Sequence, residues 1–128
     1  MRLLFDTHLL LWAAAKAARL PKAARALLED PANERLFSAV SIWEVAIKAG
    51  LGRVGFQPKP QALLRGLVEN GYVELPVTSG HAAAVERLPL IHKDPFDRIL
   101  IAQAEVEGVT LVTADPVLAK YPGPVQQV

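Results

Sequence analysis

The 128-residue chain reads as an α/β protein: a parallel sheet with helices on both faces. Two observations predict this. Short apolar strand-like runs alternate with helical segments, which implies parallel crossovers. Hydrophobic residues make up 52% of the chain and charged residues 21%, enough for a core and too apolar for disorder.

The elements follow in order. Arg2-Leu-Leu-Phe5 is a strand ending at Asp6. Thr7 to Lys16 and Lys22 to Asp30 are helices. Arg35 to Ala39 is a strand, and a helix runs from Ile42 to Ala49 behind Ser41. Gly50 terminates that helix. A loop carrying Gly52, Gly55 and Pro58 leads to a helix over Gln61 to Glu69, closed by Asn70-Gly71. Tyr72 to Val77 is a strand and Gly80 to Leu88 a helix. Asp94-Pro95 opens a long helix, Phe96 to Glu107, closed by Gly108. Val109 to Thr113 is a strand, Pro116 to Lys120 a helical turn, and Val125 to Val128 a last short strand. With no repeat and no dividing linker, residues 1–128 are expected to form one domain.

Composition excludes several classes. Lys plus Arg is 14 and Asp plus Glu 13, a formal charge of +1, which argues against a strongly basic chromatin-type binder. There is no cysteine, so disulfides, thiolate metal sites and a cysteine nucleophile are ruled out. The apolar run Leu9 to Ala15 is far shorter than the ~20 residues of a membrane helix, and the expectation is a soluble, cytoplasmic protein.

In an open α/β sheet, sites lie beyond the carboxyl ends of the strands. Asp6 follows the first strand and Asp115 a later one; Glu44 and Asp97 fall in the first turns of helices. Asp94 is a fifth acid beside Asp97. Each has a purely structural reading. Ser41-Ile-Trp-Glu44 matches a capping box, and Asp6, Asp94 and Asp115 suit helix N-caps. Asp97 complements a helix dipole. As a set they repel one another if they converge, and a divalent cation resolves that conflict. Oxygen-only ligands point to a hard ion, Mg²⁺ or Mn²⁺, as metal-dependent phosphodiester hydrolysis requires.

Four stretches carry a family resemblance: Leu4-Phe-Asp6-Thr-His8, Ser41-Ile-Trp-Glu44-Val-Ala-Ile-Lys48, His92-Lys-Asp94-Pro-Phe-Asp97-Arg98-Ile-Leu-Ile-Ala102 and Leu111-Val-Thr113-Ala-Asp115. In this order they resemble the PIN-domain ribonucleases, in particular the VapC-type toxins of bacterial toxin–antitoxin pairs. The resemblance implies a three-layer α/β/α fold with a central, mostly parallel sheet and a Mg²⁺- or Mn²⁺-dependent endoribonuclease. It implies that Asp6, Glu44, Asp97 and Asp115 form the family's acidic quartet, with Asp94 a cap or a further ligand. It also implies an RNA substrate, a homodimer and a cognate antitoxin. In many relatives a further Asp and an aromatic follow the fourth acid; here Pro116-Val-Leu follows. On this reading Asp6 and Asp97 ligate the metal, and Glu44 is a ligand or holds a bound water. Asp115 completes the shell or binds a second ion. Thr7 and Thr113 orient the neighbouring acids or act as ordinary caps.

Other residues have two readings each. None of His8, His81 and His92 has a partner at i+3 or i+4, which argues against zinc; His8 touches substrate or is a surface histidine. Trp12 and Trp43 are core or interface residues, with base stacking the lesser reading. Lys48, Arg53, Lys93 and Arg98 contact phosphates or are solvated, and Lys48 has an i,i+4 alternative with Glu44. The first helix, apolar on every side, needs cover from the sheet and from the second helix or another chain. Two non-catalytic readings stand beside the nuclease. A phosphoacceptor module would need a Lys after a late strand, and Thr113-Ala-Asp115-Pro116 offers none there; an RNA-binding protein would not need the quartet. A phosphatase would show Asp-x-Asp where Asp6-Thr7-His8 stands.

Overall fold

A computed structural model of the chain describes residues 1–52 and 58–128. Arg53 and Gly55 lie outside the described residues. The strands are β1 (Arg2–Phe5), β2 (Glu34–Ser38), β3 (Val73–Leu75), β4 (Thr110–Thr113) and β5 (Val125–Gln127). They form one sheet in the order β3-β2-β1-β4-β5, and every pairing is parallel. The helices are α1 (Thr7–Ala14), α2 (Lys22–Glu29), α3 (Ala39–Gly50), α4 (Pro60–Glu69), α5 (Ser79–Ala84) and α6 (Pro95–Glu107).

Strand side chains alternate between faces, and the sequence fills both with apolar residues. Leu3, Phe5, Phe37 and Val112 point into one layer, against Leu9 and Leu10 of α1, Ala24 of α2 and Leu63 and Leu67 of α4. Leu4, Leu36 and Leu111 point into the other, against Ala84 of α5 and Leu100, Ile101 and Ala104 of α6. The result is the expected helix–sheet–helix sandwich. Burial of each such Leu or Phe stabilises the fold by about 1.5–3 kcal/mol. Register places β1 centrally: Leu4 pairs with Leu36 on one side and Leu111 on the other. The first strand therefore ends in the middle of the sheet's carboxyl edge, and Asp6 stands there.

The structure corrects three local readings. The helix after β2 begins at Ala39, capped by Ser38, whose Oγ accepts from the Val40 N–H at 3.1 Å. Ser41 and Glu44 form no capping box, and Glu44 lies in the second turn. Two serines one turn apart compete for the cap, and the earlier start buries Val40 in the core. Gly50 stays helical, and the left-handed residue is Gly52 (φ 63°). The helix predicted over Gly80 to Leu88 is split into α5 and a 3₁₀ turn at Val85–Arg87. The long helix matches its prediction. Asp94 Oδ1 accepts from the Phe96 N–H at 2.9 Å, Pro95 opens the first turn, and Gly108 closes it at φ 67°. Among the described residues no helix is long and apolar enough to cross a membrane.

Candidate metal centre

The acids gather at the carboxyl edge, each positioned by its own element. Asp6 is the N-cap of α1 and only 3% exposed. Its Oδ1 accepts from the Leu9 N–H at 2.9 Å, and its Oδ2 accepts from the Thr113 hydroxyl of the neighbouring strand. Burial pushes the Asp6 carboxyl above its ordinary value, and the Thr113 and Leu9 hydrogen bonds draw part of that back. Glu44 is 2% exposed, on the inner face of α3. Lys48 Nζ donates to its Oε2 at 2.6 Å, while Oε1 is buried with no partner among the described residues.

Asp97 stands in the first turn of α6. Its carboxyl is pushed up to about 7, first by burial and then by the negative charge of Asp94. His92 opposes the rise, while Glu44 and Asp6 add to it. The charges of Asp6, before α1, and Glu44, on α3, thus reach Asp97, although among the described residues only His92, Asp97 and Asp115 bring ligand atoms within 4.8 Å of one another. Asp115, beyond β4, joins through His92: Nε2 of His92 lies 3.3 Å from Asp97 Oδ2 and 3.2 Å from Asp115 Oδ2. Ligand atoms of His92, Asp97 and Asp115 all fall within 4.8 Å of one another. Asp94 spends Oδ1 on its helix cap but lends its charge to Asp97.

This donor set suits a hard divalent cation. It consists of the carboxylates of Asp97 and Asp115 beside His92, with the Asp97 carboxyl raised first by burial and then by neighbouring negative charge, and an orphaned oxygen on a buried Glu44. A buried acceptor without a partner costs about 1–3 kcal/mol, which a ligand to that oxygen recovers.

Two of the four cations proposed for phosphate contact are engaged elsewhere. Arg98 Nη1 donates to Pro89 O at 3.0 Å and Tyr121 Oη at 3.1 Å, and Nη2 to Val85 O at 3.2 Å. It fastens the approach to α6 rather than facing a substrate. Lys48 is the partner of Glu44, the i,i+4 alternative. Lys93 is exposed beside the site. His8 is on the surface. Trp12 packs partly into the α1–α2–α4 layer, and Trp43 is 60% exposed, edge-on to Phe96 at 5.2 Å. Thr7, beside Asp6, donates instead to Ser41 Oγ at 2.8 Å and so ties α1 to α3.

Sequence reasoning missed His92, because a zinc-type spacing was the test applied to histidines. The available signal was its place two residues before the Asp94 cap. There a ring nitrogen can accept the next-but-one backbone N–H, and Nδ1 accepts from Asp94 N at 3.0 Å.

Comparison with known proteins places the chain in a family. A chain of the VapBC2 complex from Rickettsia felis, bound to a DNA fragment from its promoter, has the same fold. The TM-score is 0.70 at 14% identity, covering 99% of this chain and 98% of that one. DNA-bound VapBC from Salmonella typhimurium gives the same values. A toxin–antitoxin complex from Klebsiella pneumoniae matches with a TM-score of 0.63 at 20% identity, over 98% of each chain. Curated protein sequences give no significant match. The model of the PIN domain family matches residues 3–124, and the chain belongs to that family.

Proposed function

We propose that the chain is a divalent-metal-dependent endoribonuclease, the toxin of a toxin–antitoxin pair. The observation that carries this reading is that Asp97 and Asp115, from separate elements, bring ligand atoms together with His92 within 4.8 Å of one another, with the charges of buried Glu44 and Asp6 reaching Asp97. Such crowding is costly without a cation and useful with one.

Asp6 and Asp97 are the ligands, with Glu44 offering its free Oε1 and Asp115 completing the shell. The ion is Mg²⁺ or Mn²⁺. When bound, it supplies Lewis acidity at a phosphate and a lowered pKa for attacking water. The protein does the positioning. Thr113 and the Leu9 N–H hold Asp6 in one rotamer, so no reorganisation is needed when substrate arrives. Lys48 holds one oxygen of Glu44 and leaves the other open.

The fold neighbours from Rickettsia, Salmonella and Klebsiella come from toxin–antitoxin complexes, which supports an antitoxin partner here. Trp43 and Ile47 of α3 and Leu51 just beyond its end, at four-residue spacing, are all exposed, which supports a homodimer contact. An RNA-cleaving toxin works in the cytoplasm. The test is cleavage of RNA in Mg²⁺ or Mn²⁺ by the native chain and by folded Asp6→Asn and Asp97→Asn variants. Cleavage by the native chain alone is expected; undiminished cleavage by both variants refutes the assignment.

A further inference from the structure

We propose that His92 is a positioning residue for this centre: an imidazole fixed by its own hydrogen bonds that draws Asp115 onto Asp97. The inference rests on the metal reading above and assigns to it a residue outside the acidic set.

The lock is visible in the hydrogen bonds. His92 lies in the loop before α6 and is clasped at its backbone by Tyr121. Tyr121 Oη accepts from the His92 N–H at 2.9 Å and donates to the His92 carbonyl at 3.3 Å. The same hydroxyl accepts from Arg98 Nη1 at 3.1 Å, and Tyr121 is buried. The loop is thus pinned from the core side. The ring is pinned by Asp94, whose N–H donates to Nδ1 at 3.0 Å. A nitrogen that accepts carries no proton, so the proton sits on Nε2.

That Nε2–H is directed at Asp115 Oδ2, 3.2 Å away, and Asp97 Oδ2 from a different element lies 3.3 Å from the same nitrogen. A nitrogen that donates this hydrogen bond has no lone pair to give, so His92 is not a ligand in this arrangement and the donor set stays all oxygen. Asp115 needs such a tether. Its side chain is 36% exposed, and its Oδ1 is turned to the Val117 N–H at 2.8 Å.

The test is calorimetric titration of Mn²⁺ into the native chain and into His92→Ala, His92→Gln and Tyr121→Phe variants. Pulsed electron paramagnetic resonance of the native Mn²⁺ complex accompanies it. His92→Ala is expected to weaken Mn²⁺ binding by about 10–100-fold. His92→Gln, which restores an N–H donor, is expected to recover most of that loss. Tyr121→Phe, which loosens the loop without touching the acids, is expected to weaken binding by less than His92→Ala. The resonance signal is expected to show no nitrogen coupling. Native-like binding by His92→Ala overturns the inference while leaving the metal reading intact. Nitrogen coupling, or equal losses in the Ala and Gln variants, also overturns it. A native chain that does not bind Mn²⁺ overturns the metal reading and this inference together.

Discussion

Replacing Asp97 by Asn isolates the electrostatic cost of the acidic pocket. In the metal-free chain Asp97 keeps its proton up to about 7, against an ordinary aspartate value of 3.8. Between those values the native state binds one more proton than the unfolded state, so stability falls as pH rises. One proton gives a slope of about 1.4 kcal/mol per pH unit, or about 4 kcal/mol over the whole interval. Roughly 3 kcal/mol of that accrues between pH 5 and pH 8. Asn is neutral throughout and nearly isosteric, so Asp97→Asn lacks this slope. The assay is urea unfolding of both proteins in EDTA at pH 5 and pH 8. The native chain is expected to lose stability relative to the variant across that range, leaving the variant the more stable at pH 8. Mn²⁺ then restores the native chain and does little for the variant. A native-minus-variant difference that stays flat from pH 5 to pH 8 refutes the reasoning.

Five further outcomes are expected. Asp6→Asn lowers Mn²⁺ affinity and RNA cleavage by at least about tenfold, measured by calorimetry and by a labelled-RNA assay, because on the proposed assignment it removes a ligand. Lys48→Met strands Glu44 in a buried site and costs about 1–3 kcal/mol in urea unfolding without metal, a loss that adding Glu44→Gln reverses. Gly108→Ala costs about 1 kcal/mol through backbone strain alone, since its φ is +67° and open space surrounds the site. Gly66→Ala, inside α4 with equally open space, stabilises by about 0.5–1 kcal/mol in the same assay. Trp43→Asp converts the expected homodimer to monomer in sedimentation, given the exposure of that side chain.

The fold was legible where patterning and punctuation agreed. The all-parallel sheet follows from strand–helix alternation. The Asp94-Pro95 start and Gly108 end of α6 are local chemistry written into adjacent residues. Legibility failed where two residues offered the same service: Ser38 and Ser41 are equivalent caps by sequence, and only the burial of Val40 selects the first. Asp6 and Asp115 were legible because strand ends are predictable, whereas the capping-box reading of Glu44 fails because Ser38 takes the cap. Asp6 and Asp94 are caps and also contribute charge to the pocket. The intramolecular bonds of Arg98 are not legible because its three partners, Val85, Pro89 and Tyr121, come together only in the folded chain. His92 and Asp115, 23 residues apart, meet only once β4 is paired beside β1.

The most direct test is a crystal of the native chain grown with Mn²⁺ and measured for anomalous scattering at the manganese edge. A peak within about 2.5 Å of carboxylate oxygens of Asp6 and Asp97 is the predicted result. A map with no peak at the sheet's carboxyl edge, or with manganese held only at unrelated surface acids, would contradict the account.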